Sequence, residues 1–159
     1  MLNKTGVPDK SLVKSKFPDS KLLLKAKAIT ECYEEIPCNP CSTSCPFNAI
    51  SIGEDINKLP VVDFEKCTGC GVCVYSCPGL AIFTVKVKEE KAIYNIPYEL
   101  LPYPKVGDIW DAVNRQGDII GDAYITKVKI TKKQDRTLLV EVEVDKDLLY
   151  EFITIKERV

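Results

Sequence analysis

The residues in this chain best suited to chemistry are its eight cysteines, all of which lie between Cys32 and Cys77. The later ones follow the spacing Cys67-x2-Cys70-x2-Cys73-x3-Cys77. Thiolates bind soft metals, and they hold both zinc ions and iron-sulfur clusters in proteins. Three thiols on one tight loop can ligate three of the four iron atoms of a cubane iron-sulfur cluster. The ligand of the fourth iron atom must then come from elsewhere in the chain.

The cysteine region is a duplicated unit. Three cysteines recur at one constant offset, so that Cys38, Cys41 and Cys45 correspond to Cys70, Cys73 and Cys77. Residues 45–50 also match residues 77–82 at four of six positions, which a chance cluster of thiols would not produce. The halves differ at the start, because five residues separate Cys32 from Cys38 where two separate Cys67 from Cys70. Cys32 therefore departs most from the repeat.

Composition removes several classes of site. The 159 residues include no histidine, which excludes Ser-His-Asp and Cys-His catalysis, histidine-ligated zinc, Rieske centres and histidine-ligated haem. Two four-cysteine zinc sites remain an alternative, although zinc requires neither the third cysteine of each run nor the repeated Cys-Pro pair. A disulfide framework would suit a small secreted chain. We find no secretory-signal pattern and no apolar run that spans a membrane, so we expect a cytoplasmic location.

Charge divides the chain into three parts. Residues 1–30 carry a net charge of +5, residues 31–80 carry −5, and residues 81–159 carry −1. The first part has one aromatic residue, Phe17, and no arginine, which does not favour nucleic-acid binding. We therefore expect a basic arm, an acidic metal-binding region and a nearly neutral third part.

Sequence patterns predict the elements around the cysteines. A short helix is expected after each Cys-Pro pair, with its Ala-Ile pair packed toward the metal, and a strand over residues 59–63. Four strands are expected over residues 82–88, 92–96, 123–130 and 138–144, and the last two form a hairpin around a polar turn at residues 132–135. Residues 111–115 are expected to form a helical turn. We expect five large aromatic residues to pack in the core: Tyr94, Tyr98, Tyr103, Trp110 and Tyr124.

The run from Cys67 to Pro78 resembles the dicluster bacterial-type ferredoxins, and the resemblance covers about residues 31–83. It implies two 4Fe-4S clusters with crossed ligation, in which the last cysteine of each run binds the other cluster. The first cluster would be held by Cys32, Cys38, Cys41 and Cys77. The second cluster would be held by Cys67, Cys70, Cys73 and Cys45. The acidic pair Glu34 and Glu35 in the longer loop is expected to lower the reduction potential of the first cluster.

The resemblance implies an α+β fold with a dicluster ferredoxin-like pseudo-symmetric core. Its expected domains are a basic N-terminal arm (1–30), the 4Fe-4S ferredoxin domain (31–83) and a C-terminal β-rich subdomain (84–159). Eight thiols would give each of the eight iron atoms a protein ligand, which leaves no iron atom open to a substrate. The implied function of the chain is therefore electron transfer, with no catalytic site of its own.

A second resemblance concerns possible partners. Residues 31–41, with the basic arm before them and the β-rich part after them, resemble small iron-sulfur subunits of flavin-dependent amino-acid or amine dehydrogenases. That resemblance implies a flavoprotein partner that supplies electrons to the clusters. A stand-alone ferredoxin is the alternative within the same chemistry, and a zinc-stabilised interaction module is the alternative outside it.

Overall fold

The computed structural model describes residue 2 and residues 4–159. The α-helices are short: α1 (Lys10–Ser15), α2 (Pro40–Ser44) and α3 (Val72–Ser76). The strands are β1 (Lys27–Thr30), β2 (Ile50–Ser51), β3 (Val61–Val62), β4 (Ile82–Lys88), β5 (Lys91–Tyr98), β6 (Ile109–Val113), β7 (Ile119–Lys129), β8 (Leu138–Asp145) and β9 (Thr154–Lys156).

Seven of these strands form one antiparallel sheet in the order β1-β4-β5-β8-β7-β6-β9, and β2 pairs with β3 in a separate two-stranded sheet. The predicted hairpin is confirmed, because β7 and β8 pair antiparallel around a turn that contains a short 3-10 helix at Lys132–Gln134. The strand predicted over residues 82–88 is β4, and the strand predicted over residues 59–63 contains β3.

The core of the large sheet follows from the alternation of its strands. Along β8, Val140, Val142 and Val144 are fully buried, while the glutamates between them are half-buried. Tyr94, Tyr98 and Trp110 lie in this core as predicted. The same prediction is wrong for Tyr103 and Tyr124, which are 42% and 39% exposed. Tyr124 lies on the outer side of β7, where Lys91 sits over its ring, and Tyr103 lies in the loop before β6.

The basic N-terminal segment packs against the rest of the chain. Its strand β1 pairs with β4, and Phe17 contacts the rings of Phe83 and Tyr150 at centroid distances of 6.1 and 4.9 Å. β1 lies just before the predicted boundary at residue 30, and β4 runs through the predicted boundary at residue 83. The three-part division stays a prediction.

The helices predicted after the Cys-Pro pairs are wrong in position. Each helix lies before its pair, because Cys45 and Cys77 are held in extended geometry, with ψ of 113° and 114°, by the proline that follows. Pro40 begins α2, where its missing N–H costs nothing. After each Cys-Pro pair the chain passes through positive φ at Asn48 and Leu80, which a continuing helix cannot contain.

The helical turn predicted over residues 111–115 is also wrong. Residues of this segment belong to β6, which pairs with both β7 and β9. Trp110 and Ala112 alternate into the core along this strand, and that burial outweighs the local preference for a turn. Within the described part of the chain, no helix is both long and apolar enough to cross a membrane.

Helix and strand therefore occur together, with most of the regular structure in sheet. The region of the cysteines repeats itself in three dimensions, since α2 and α3 occupy equivalent positions of the sequence repeat, as do the positive-φ residues Asn48 and Leu80. The pseudo-symmetric ferredoxin core stays a prediction at this point.

Candidate metal centre

The structure gathers the eight cysteines around two cavities, four to each. The cavity that we call the first site is lined by Cys32, Cys38, Cys41 and Cys77. The cavity that we call the second site is lined by Cys45, Cys67, Cys70 and Cys73. Including the space that is open to solvent, the cavity of the first site has a volume of about 610 Å³ and that of the second site a volume of about 310 Å³. All the sequence-predicted ligands thus lie at one of two four-thiol sites.

The two sites share one local construction. The fourth cysteine of each run lies at the end of a helix and turns away from it, so that Cys45 after α2 reaches the second site and Cys77 after α3 reaches the first. The N–H of Ala49 donates to Cys45 Sγ at 3.3 Å, and the N–H of Ala81 donates to Cys77 Sγ at 3.5 Å. These bonds orient both sulfur atoms and place positive N–H dipoles beside them.

The Ala-Ile pairs lie where the sequence predicted, against the two cavities. Ala49 and Ile50 line the second site, and Ala81 and Ile82 line the first. Three of the four are nearly fully buried, and they exclude water from one side of each site. A lower local dielectric strengthens every charge interaction with a bound cluster.

Strand β1 supports the second site from outside the cysteine region. The Lys27 ammonium is buried and donates to the carbonyl oxygen of Cys67 at 2.8 Å, and the N–H of Ala28 donates to Cys67 Sγ at 3.3 Å. Both contacts stabilise the start of the Cys67–Cys70 loop. Lys27 also brings a positive charge close to a site that would carry negative charge when loaded.

Gly69 fits closely against this strand. A side chain at Gly69 would meet the Cβ and carbonyl oxygen of Ala26 at 2.5 and 2.6 Å, and its φ is +73°. From the sequence, this glycine would be explained by approach of the backbone to the metal. The structure gives a second reason, which is close packing of the loop on the segment that enters β1.

Burial acts on the thiols of both sites. Burial, together with repulsion from the Cys67 and Cys70 thiolates, raises the pKa of Cys73 to about 12. Burial followed by repulsion from Cys77 raises the pKa of Cys32 and of Cys41 as well. For these three thiols the raised pKa favours the neutral form, and binding of iron, which requires thiolates, would release their protons.

The longer loop after Cys32 closes the first site. The Cys32 thiol lies 3.9 Å from the Glu34 carbonyl oxygen, and Glu34 and Ile36 line the cavity with the cysteines. Glu35 points toward Lys58, whose ammonium lies 3.3 Å from its carboxylate, and both side chains are more than half exposed. Both glutamates are exposed, so solvent screens both charges, but Glu34 lines the cavity whereas Glu35 is paired with Lys58. Glu34 is therefore the glutamate of the pair with the stronger expected effect on the site.

The double variant Glu34→Gln, Glu35→Gln tests the effect of this acidic loop. We expect the reduction potential of the cluster at the first site to rise, because adding an electron no longer meets these negative charges. An EPR-monitored redox titration measures the two potentials, with Glu90→Gln as a control on the turn between β4 and β5, outside both cavities. The expectation fails if neither potential moves upward or if the control shifts them equally.

The side chains at both cavities fit iron-sulfur clusters. Each site offers four thiols and no hard oxygen-rich ligand set, which is the donor chemistry of a 4Fe-4S cluster. The second site also contains a buried hydroxyl, that of Thr84, with no hydrogen-bond partner among the described residues. A buried donor without a partner is costly, and the sulfur atoms of a bound cluster would satisfy it.

Comparison with known proteins agrees with this donor set. Residues 36–93 match the family model for the 4Fe-4S dicluster domain. The chain contains a 4Fe-4S dicluster domain. The chemistry of such a domain is one-electron transfer through its clusters. The matched residues include seven of the eight cysteines, and Cys32 lies just before them.

Curated proteins are similar to part of this chain. The chain is similar to one subunit of the Na(+)-translocating ferredoxin:NAD(+) oxidoreductase complex of Acetobacterium woodii, at 63% identity over 31% of this chain and 14% of that protein. It is 47% identical to the polyferredoxin-like subunit of the aliphatic sulfonate oxidoreductase of Pyrococcus furiosus, over 28% of this chain and 25% of that protein. It is 41% identical to the pyruvate synthase subunit PorD of Methanocaldococcus jannaschii, over 35% of this chain and 60% of that protein.

These similarities cover about a third of this chain or less. The matched stretch spans between about one seventh and three fifths of the length of these three relatives. No solved structure is significantly similar to the chain.

Sequence reasoning missed three residues of the second site: Lys27, Ala28 and Thr84. The two strand residues of β1 lie outside any cysteine motif, and nothing in the sequence pairs them with Cys67. For Thr84 a signal existed, because the offset between the two halves of the repeat aligns it with Ile52 in the first half. The second half of the repeat thus has a hydroxyl where the first half has an apolar side chain.

Proposed function

We propose that this chain is the iron-sulfur relay subunit of a larger flavin-containing oxidoreductase. The observation that carries the proposal is the pair of four-thiol cavities, which leaves no cysteine over and no cluster corner open for substrate. A closed cluster accepts and releases one electron, and the protein controls its potential, its distance from other centres and its docking to partners. Substrate chemistry would then take place on another subunit.

We propose the crossed ligation for these clusters, with Cys32, Cys38, Cys41 and Cys77 at the first site and Cys45, Cys67, Cys70 and Cys73 at the second. The lining of the cavities supports this assignment. The repeated order of helix, Cys-Pro pair, positive-φ residue and strand supports a pseudo-symmetric ferredoxin core over residues 31–83. Crossed ligands would link the two halves, so that each cluster stabilises both.

Two features favour a subunit over a freely diffusing carrier. The relatives described above are named as subunits, two of them of oxidoreductases and one of a pyruvate synthase, although each match covers about a third of this chain or less. The residues after the cysteine region also build most of a seven-stranded sheet, which two clusters do not require. An added sheet that packs on the dicluster domain is a suitable surface for permanent docking.

The cofactor content is tested on the purified protein. Anaerobically prepared protein is expected to be brown, to contain roughly eight irons and eight sulfides per chain, and to lose much of its visible absorbance on reduction. The variant Cys73→Ser should lose iron at the second site, since it removes a buried thiol there. Colourless protein that contains zinc would contradict the proposal and favour the interaction module.

The partner is tested by gentle purification from the native source. A relay subunit should be recovered with a flavoprotein in fixed stoichiometry, and its visible spectrum should include the flavin. Recovery of a lone monomer with intact clusters would contradict the subunit proposal and favour a stand-alone ferredoxin. The iron analysis is independent of this result, so the two parts of the proposal can fail separately.

A further inference from the structure

The Thr84 hydroxyl is an unexplained polar group inside the second site. Thr84 lies in β4, is fully buried and lines the cavity with Cys45, Cys67, Cys70 and Cys73. Its Oγ1 has no hydrogen-bond partner in the part of the chain that the structure describes. Buried hydroxyls are almost always hydrogen-bonded, so this one is expected to have an acceptor that belongs to the loaded site.

The surroundings of Thr84 limit what that acceptor can be. Apart from Thr68, the side chains that line the cavity are thiols or apolar groups. Thr84 is paired in register with Ala28 of β1, whose N–H donates to Cys67 Sγ at 3.3 Å. A sulfur atom that faces this edge of the sheet is therefore the acceptor that the cavity offers.

The first half of the sequence repeat has a different residue at the position that corresponds to Thr84. The offset between the halves, which takes Cys38 to Cys70, also aligns Ile52 with Thr84, and isoleucine cannot donate a hydrogen bond. The second site also has the buried Lys27 ammonium, 2.8 Å from the Cys67 carbonyl oxygen, whereas the two charged residues that line the first site, Glu34 and Lys58, are opposite in sign and both exposed. Donors and positive charge stabilise the added electron of a reduced cluster, and negative charge opposes it.

We propose that the Thr84 hydroxyl donates a hydrogen bond to a sulfur atom of the cluster at the second site, and that this bond raises the reduction potential of that cluster above that of the first. The inference rests on the proposed function, because it requires a 4Fe-4S cluster at each site. The difference in potential makes the second site the position at which an electron resides in the half-reduced protein.

The variant Thr84→Val tests the hydroxyl with little change in volume. We expect the equilibrium constant for one-electron reduction of one cluster to fall about tenfold, which is about 59 mV, while the other cluster stays unchanged. Thr84→Ser keeps a hydroxyl and should stay close to the native potentials. Thr30→Val is the matched control, because Thr30 is a buried threonine of the neighbouring strand that lines neither cavity.

A second measurement detects the hydrogen bond itself. The backbone N–H groups that donate to the Cys45 and Cys67 sulfur atoms also exchange in D2O, so the ENDOR spectrum of reduced Thr84→Val gives their contribution. The native chain and Thr84→Ser should show one further deuteron coupling that Thr84→Val lacks. If Thr84→Val shows every coupling of the native protein, the hydroxyl is not the donor and the proposal is overturned. Absence of the coupling from the native protein also overturns it, whether or not the valine variant folds.

Iron analysis separates this inference from the proposed function. Native protein with roughly eight irons per chain and potentials that Thr84→Val does not move would overturn only the role of Thr84. Native protein without the two clusters would overturn the proposed function. Equal shifts of both potentials in Thr84→Val and Thr30→Val would assign the effect to general packing and would also overturn the role of Thr84.

Discussion

Replacement of Gly69 by alanine is expected to abolish cluster binding at the second site. The added Cβ would lie 2.6 and 2.8 Å from the carbonyl oxygen and carbon of Ala26, and these are backbone atoms that no side-chain rotation can move. The φ of +73° adds a backbone penalty for any side chain. The loop that carries Cys67 and Cys70 must therefore separate from the segment that enters β1.

That separation breaks the contacts that hold the second site. The bonds from Lys27 and Ala28 to Cys67 both cross the same interface, and neither can form if the loop moves outward. We expect iron after anaerobic reconstitution to fall from roughly eight to about four per chain or fewer. Ala26→Gly removes only one of the three close contacts, so it should not restore iron binding to the Gly69→Ala variant.

Gly53→Ala is the matched control for this prediction. Gly53 has a similar φ of +87°, but no described atom lies within 4 Å of the position that a Cβ would take there. The control should therefore cost about 1–2 kcal/mol of stability from the backbone alone and retain both clusters. Full iron content in Gly69→Ala, or equal iron loss in the two variants, would contradict the close packing of this loop on Ala26.

The sequence predicted the parts of this site that depend on local spacing. The division of the thiols into two groups of four followed from the resemblance to dicluster ferredoxins. The cysteine intervals predict each run of metal-binding thiols, and the alternation of Val140, Val142 and Val144 predicts β8 and its hairpin with β7. These features are local, because each is fixed by residues a few positions apart.

The features that sequence did not predict depend on contacts between distant segments. Lys27 donates a hydrogen bond to Cys67, which lies 40 residues later in the sequence. Arg115 donates a hydrogen bond to Glu31, which lies 84 residues earlier. The position of the short helices was missed for a different reason, since Cys-Pro is compatible with either the end or the start of a helix. The conformation of the preceding cysteine decides between them.

The Arg115–Glu31 ion pair is expected to be the strongest polar contact between the β-rich part and the dicluster domain. Arg115, in the turn between β6 and β7, has a side chain that is 8% exposed, and the Glu31 side chain is 9% exposed. Arg115 Nε lies 3.0 Å from each carboxylate oxygen of Glu31. Another nitrogen of the guanidinium donates to the Tyr150 and Glu151 carbonyl oxygens at 3.0 and 3.2 Å.

Arg115→Met is expected to lower the free energy of unfolding by about 3–5 kcal/mol, because it leaves the Glu31 carboxylate buried without a counter-charge. Glu31 directly precedes Cys32, and the N–H of Glu31 donates to the Ala81 carbonyl oxygen at 2.7 Å. Cys32 and Ala81 both line the first site, so we expect the first site to lose its cluster before the second site does. Anaerobic urea unfolding of the holoprotein, followed by visible absorbance and circular dichroism, measures both effects.

Arg158→Met provides the comparison for an exposed pair. Arg158 contacts Asp111 at 2.8 Å and also contacts Asp122, but its side chain is 42% exposed, and solvent screens such pairs. We expect its replacement to cost far less stability than the replacement of Arg115. Equal costs for Arg115→Met and Arg158→Met would contradict the importance of burial at the Glu31 pair.

The double variant Glu31→Gln, Arg115→Met separates the interaction from the cost of an unpaired charge. Each single change leaves one charged partner buried alone, whereas the double change removes both charges. We therefore expect the double variant to be more stable than the sum of the single losses predicts, by about 1–3 kcal/mol, in a double-mutant cycle. Additive losses would mean that the two side chains stabilise the fold independently, through the carbonyl contacts of Arg115 and the backbone contact of Glu31 alone.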